Sequence, residues 1–214
     1  MTPAEAARLD PRARLGSALR QLGHDVVGHH ADDQLLEELT DVLTKYSARF
    51  TAGDRQSRAV LGFHQHWDAH LADGDEVVSN IYRPFSGAAS PWSVDPVVRR
   101  RGDGVIARVT LREAHEGAPE RSHGGVVAGL FDDILGCVLH VIGEGAFTGE
   151  LSVRYENAVP LHRELVCECR VVAREGRKLY MTGELADGDV VVARTTATFI
   201  TPRVAFVQST FDPS

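Results

Sequence analysis

From Arg121 to Gly143 the apolar positions Val126, Val127, Leu130, Phe131, Ile134, Leu135, Val138, Leu139 and Ile142 recur at spacings of three and four. That is the pattern of a helix buried over most of its circumference. On the remaining side Ala128, Asp132 and Gly136 stand four apart, which sets a carboxylate between two residues too small to shield it. His123-Gly124-Gly125 opens the predicted helix. The first backbone N–H groups of a helix lack intrahelical partners, and glycine lets an anion or a polarised carbonyl oxygen reach them.

Elsewhere in the second half the period falls to two. Val105, Ala107, Val109 and Leu111 alternate with Ile106, Arg108 and Thr110, and Leu151, Val153 and Tyr155 with Ser152, Arg154 and Glu156. Leu165, Cys167, Cys169 and Val171 continue the pattern. Glu175-Gly176 and Asp187-Gly188 then turn the chain into runs carrying Leu179, Met181 and Leu185, and Val191, Ala193, Ala197 and Phe199. One long buried helix followed by an antiparallel meander is satisfied when the sheet wraps the helix, an α+β arrangement.

The first 75 residues read differently. Leu15, Ala18, Leu19 and Leu22 predict a short amphipathic helix ending at Gly23, and Asp32 or Asp33 caps a second one carrying Leu35, Leu36, Leu39, Val42, Leu43, Tyr46 and Phe50. The expected layout is a helical extension over 1–75, the α+β domain over 76–203 and a tail over 204–214. Two prolines, a glycine and several small residues make Tyr82–Trp92 a loop.

At 214 residues and 43% apolar content the chain can bury a proper core. The net charge is −7, and no Lys/Arg-rich stripe interleaved with aromatics occurs, which argues against a nucleic-acid partner. The basic run Arg99-Arg100-Arg101 is expected in a solvated loop. With neither an apolar leader nor an uninterrupted apolar run of membrane-spanning length, no membrane role and a cytosolic compartment are expected. Cys137, Cys167 and Cys169 are an odd set suited to reduced core thiols. His64, His66 and His70 have a spacing that invites a metal, but no further ligand set accompanies them, and no metal or cofactor is expected.

Taken together, P-F-S-G-A-A-S-P, E-G-A-P-E-R-S-H-G-G-V-V-A-G-L-F-D-D-I-L-G and T-G-E-L-S-V-R-Y resemble the acyl-CoA thioesterases of the phenylacetate-degradation type. The resemblance covers roughly residues 82–201 and implies the hotdog fold, an acyl-CoA substrate, and a homo-oligomer, dimer or dimer of dimers. It makes Asp132, nine residues after His123, the nucleophile or the general base for water. Gly124 becomes the backbone donor to the thioester oxygen, His123 the residue that sets the turn, and Thr148 the hydroxyl that orients the carboxylate. Gly125, Glu116, Gly117 and Ser122 are grouped around the motif as substrate-facing. Some relatives carry asparagine where this chain has Gly117.

Two other classes share these features. A non-hydrolytic acyl-CoA-binding protein of the same fold is the alternative reading, and a hydratase would need a pair such as Asp133 and His140, seven apart. Asp133 is otherwise expected to be an exposed helix-face residue, and His140 a structural one near the helix end, where a cation is favoured.

Overall fold

In a computed structural model of the chain, residues 10–55, 71–78 and 80–203 are described. The 204–214 tail and the histidines at 64, 66 and 70 lie outside the described residues. The elements are α1 (Pro11–Gly28), α2 (Asp33–Thr51), β1 (Val97–Arg101), β2 (Gly104–Thr110), a short 3-10 turn (Glu113–His115), α3 (Gly124–Ile142), β3 (Phe147–Tyr155), β4 (Glu164–Glu175), β5 (Lys178–Asp187) and β6 (Val190–Ile200). Among the described residues the strands form one antiparallel sheet in the order β1-β2-β4-β5-β6-β3.

The long helix is the core. Leu130, Phe131, Ile134, Leu135 and Val138 of α3 are fully buried, together with Ala107 of β2, Leu165 and Cys167 of β4, and Leu185 of β5. Each large apolar side chain taken out of water contributes about 1.5–3 kcal/mol. By length and composition α3 could cross a membrane, but most of it is buried inside the fold, as a core helix is. Gly143 ends it with φ of 67°, the left-handed conformation that glycine adopts without a Cβ clash.

Strand β1 was not foreseen. Val97-Val98-Arg99-Arg100-Arg101 reads as a basic run, yet it pairs with β2 from Val97↔Arg108 to Arg101↔Gly104. The arginines are held in place although Arg99 and Arg101 stay exposed: Arg99 donates to the Gly74 carbonyl at 3.0 Å, Arg100 to the Leu71 and Gly102 carbonyls, and Arg101 pairs with Glu168. Short side chains and a period-two pattern are absent here, so the sequence hid an edge strand.

The first helix was foreseen, but with the wrong face inward. Pro11 at its start and Asp10 accepting from the Arg12 N–H at 2.7 Å fix the N-terminus, and the helix runs through Gly23 to Gly28. It buries Ala13, Gly16, Arg20 and His24, while Leu15 and Leu19 are exposed. Gly16 allows the close approach, since a Cβ there would stand 2.7 Å from the Ala88 carbonyl oxygen. Arg20 locks the contact. Its guanidinium donates to Asp95 at 2.7 and 2.6 Å, to the Ala88 carbonyl at 2.9 Å and to the Ser90 carbonyl at 2.6 Å. Helix α2 is capped by Asp32, which accepts from the Leu35 N–H at 2.8 Å, and buries none of its residues.

Candidate functional site

Successive residues of a helix turn by about 100°, so the neighbours of α3 can be laid out around its axis. The sheet covers the side carrying Val127, Leu130, Phe131, Ile134 and Val138. The loop from Arg83 to Ser86 covers a second side, which carries Gly129, Asp133 and Gly136. A Cβ on Gly129 would lie 2.3 Å from the Phe85 ring, and one on Gly136 would collide with the Arg83 guanidinium. Between these covers runs a narrow strip of Gly125, Ala128 and Asp132, none of them buried. Gly136, read from sequence as part of that open side, instead seats Arg83.

Thr148 reaches the strip from β3. Its Oγ1 donates to Asp132 Oδ1 at 2.7 Å. A bulge makes this possible. Thr148 pairs with Phe199 and Glu150 with Thr198, leaving Gly149 as the extra residue, and the shift turns Thr148 to the face that Leu151 and Val153 also occupy. Glycine leaves room at the bulge for Ile200, whose Cδ1 would stand 2.8 Å from a Cβ there and would have to shift. Among the described residues strand β3 stands at the sheet edge beside β6, and it is largely exposed.

The start of α3 separates the two glycines of the motif. His123 is the N-cap, and its Nδ1 accepts from the Gly125 N–H at 3.0 Å. An accepting Nδ1 places the ring proton of a neutral histidine on Nε2. Gly125 therefore has its donor engaged, whereas the Gly124 N–H has no acceptor among the described residues. Tyr155, not singled out from sequence, donates its hydroxyl to the Gly124 carbonyl at 2.5 Å and so fixes the peptide beside that amide. Burial raises its pKa, which keeps the hydroxyl proton available for the bond. Its position at the end of the period-two run from Leu151 was the available signal, but nothing in that pattern says what it touches.

The remaining motif residues form the turn before the helix. Glu116 Oε1 accepts from the Glu120 N–H at 2.6 Å, and the Gly117 N–H donates to the Arg121 carbonyl at 3.0 Å. Gly117 lies against His123, where a Cβ would stand 2.7 Å from its Cα. Ser122 Oγ donates to the His115 carbonyl at 3.3 Å. These contacts give Glu116, Gly117 and Ser122 a scaffolding part in aiming His123 and Gly124. Arg121, Ser122, Gly124, Tyr155, Glu156 and Asn157 line a cavity of about 420 Å³ at the helix start.

Asp133 is not the exposed residue expected. It is buried, accepting from the Phe85 N–H at 2.7 Å and Ser86 Oγ at 3.0 Å and pairing with Arg83 at 3.3 Å. Adjacent residues on a helix face about 100° apart, so two neighbouring carboxylates serve different ends. Among the described residues no group of three His, Cys, Asp or Glu is placed to hold a metal. Cys137, Cys167 and Cys169 are buried and form no disulfide, with the last two sulfurs 3.8 Å apart; that contact and burial push the Cys169 thiol pKa well up.

One long helix enclosed by an antiparallel sheet is the hotdog fold, and here the helix carries an open N–H at its start and an outward-facing carboxylate in its third turn. Residues 122–194 match the family model of the thioesterase superfamily. Acyl-coenzyme A thioesterase THEM5 of Mus musculus is 33% identical over 87 residues, 40% of this chain and 35% of the relative. Acyl-coenzyme A thioesterase THEM4 of Xenopus laevis is 31% identical over 83 residues, 39% of this chain and 37% of the relative. The match thus spans about a third of the length of these curated relatives. A crystal structure of a thioesterase superfamily protein superposes with a TM-score of 0.75 at 22% identity, covering 90% of this chain and 91% of that one, a likeness of fold.

Proposed function

We propose that this protein hydrolyses acyl-CoA thioesters to the free acid and CoA. The observation that carries the reading is the 2.7 Å bond from Thr148 to Asp132, made on the one strip of α3 that neither the sheet nor the Arg83–Ser86 loop covers. Thr148 aims one carboxylate oxygen and leaves the other to attack the thioester carbon or to take a proton from water that does so. The Gly124 N–H supplies the donor toward which the carbonyl oxygen develops charge.

One chain cannot bring these groups together. Eight residues of helix separate Gly124 from Asp132, a rise of ~12 Å, while a donor and a nucleophile acting on one carbonyl stand within a few ångströms of it. A homodimer therefore forms each site, Gly124 from one protomer facing Asp132 and Thr148 of the other. The position of β3 at the sheet edge among the described residues, together with its exposure, supports β3-to-β3 pairing as the contact, and a dimer of dimers is compatible with it.

The test is complementation. Asp132→Asn removes the carboxylate, and Gly124→Pro removes the N–H at the first helical position, where proline is tolerated. Each variant alone is expected to lose thiol release from acyl-CoA substrates. Refolded together in equal amounts they regain up to about a quarter of wild-type activity, because half the dimers are mixed and each of those has one intact site. No recovery in a mixture shown to exchange subunits would place both groups in one protomer's site. No hydrolysis by the wild type, with tight binding of a non-hydrolysable analogue, would favour the acyl-CoA-binding reading.

A further inference from the structure

The strip on α3 is bounded on one side by a ring with a hollow behind it. Phe85 lies on Gly129, one turn beyond Gly125, so its ring borders the helix start where the Gly124 N–H of the same protomer meets the thioester carbonyl. Its backbone is pinned by the Asp133 carboxylate, which Arg83 and Ser86 hold from either side. Beyond the ring is a cavity of about 280 Å³, walled by Leu19, Gly23, Phe85, Pro91, Trp92 and Val126. That lies near the low end of small-molecule sites, roughly 300–1,000 Å³.

The charged side chains around this hollow are quiet. The Arg20 guanidinium is matched by Asp95, and burial keeps the His24 and His115 rings neutral, lowering the pKa of His115 to about 4. On the other side of Gly124 a second cavity is lined by the charged and amide side chains of Arg121, Glu156 and Asn157 together with Tyr155, Ala158 and Val159. A thioester whose carbonyl sits at Gly124 thus has Arg121 and Asn157 on one side to meet its pantetheine and nucleotide arm, and on the other the hollow behind Phe85 to take its acyl group.

Resting on the thioesterase reading above, we propose that Phe85 sets acyl-chain length: the acyl group ends against its ring, and the hollow walled by α1 is the compartment that longer chains enter once the ring is removed. The helical extension outside the matched family region thereby becomes part of the specificity site. Gly23 gives access to the same space independently, since nothing lies within 4 Å of a Cβ placed there.

The experiment measures kcat/KM on straight-chain acyl-CoA esters of increasing length for wild type, Phe85→Leu, Phe85→Ala, and Phe85→Ala combined with Gly23→Phe. The ratio of long-chain to short-chain activity is expected to rise from wild type through leucine to alanine, by roughly tenfold or more at the long end. Adding Gly23→Phe, which refills the hollow from α1, is expected to return the ratio toward wild type. Dissociation constants of non-hydrolysable thioether analogues should follow the same order. If the alanine variant does not fold, the leucine variant, which still covers Gly129, carries the comparison. Hydrolysis with an unchanged length profile in a folded Phe85 variant overturns this proposal alone. So does a gain that Gly23→Phe leaves intact. A wild type that hydrolyses no member of the series overturns the thioesterase reading, and the length proposal with it.

Discussion

The Phe85 amide donates to Asp133 Oδ2 at 2.7 Å, while the carboxylate of Asp132, one residue earlier, is left facing the open strip. Replacing Asp133 by asparagine keeps the size but removes the charge that Arg83 answers, and it turns an NH2 group toward donors. Arg83 is partly exposed and keeps some hydration, so the main cost falls on the Phe85 N–H and Ser86 Oγ, which lose a charged acceptor worth about 1.5–3 kcal/mol. Asp133→Asn is therefore expected to lower the unfolding free energy by about 1.5–3 kcal/mol, against less than about 1 kcal/mol for the half-exposed Asp132→Asn. Denaturant titration of the two variants checks this, and equal midpoints would contradict the anchoring role.

The activities should divide the other way. Loss of general-base assistance typically lowers rates by ~10²–10⁴-fold, so Asp132→Asn is expected to fall by at least that factor in kcat with little change in affinity for a thioether analogue. Thr148→Ser keeps the hydroxyl and should retain most turnover. Thr148→Val removes the 2.7 Å bond and should lose activity by an intermediate factor. Thiol release measured on one good substrate decides it; a valine variant as active as the serine one would remove Thr148 from the mechanism.

What the chain's pattern reveals is what periodicity can carry. The core helix, five of the strands and the Asp32 cap follow from apolar spacing and turn residues, because burial on one face imposes a period. Asp132 stood out by its spacing between two small residues, but its role and the choice of Thr148 came from resemblance, and their contact depends on a bulge at Gly149 that no alternation predicts. Asp133 and Phe85 were out of reach for a related reason. Their partnership joins residues 48 positions apart through a loop without regular structure. The hint was in the glycines: Gly125, Gly129 and Gly136 share a side of α3, and the close packing they permit turned out to be by the protein's own loop at the last two.

Helix α1 illustrates a second limit, since its contact is made by a glycine and an arginine rather than by its leucines. Arg20→Met preserves length and apolar stem but removes donors to Asp95, Ala88 and Ser90. Leaving those groups unmatched costs on the order of 2–3 kcal/mol. Faster amide exchange is expected in α1, with α3 unaffected. Gly23→Ala acts oppositely: the site is helical and open, so it should stabilise the protein by about 0.5–1 kcal/mol. A destabilising alanine would show that the space beside Gly23 is filled.

Acid should loosen the same junction. His24 of α1 and His115 of the 3-10 turn meet edge to face, their centroids 4.7 Å apart. Each accepts a backbone N–H at Nδ1, His24 from Ala114 at 3.1 Å and His115 from Arg112 at 2.9 Å, so both bonds need a neutral ring. Desolvation is the largest cause of the low pKa of each; next come Arg112 for His24 and His24 itself for His115. Glu113 opposes both shifts, and Asp25 and Asp95 add to that opposition at His24, without reversing either. The sign follows from proton counts. Between the ordinary value of 6.5 and about 4 the unfolded chain binds the His115 proton and the folded one does not. This contribution is complete above pH 6.5 and is lost as the pH falls through that window, on the order of 1–2 kcal/mol once solvent screening of the partly exposed ring is allowed for. Unfolding free energy measured from pH 7.5 down to 4 should decline more steeply for wild type than for His115→Gln, which cannot titrate. Parallel curves would mean that protonation of His115 is not linked to folding. A wild-type decline accompanied by loss of amide protection in α1 before α3 would place the first acid-induced opening at the His24–His115 contact.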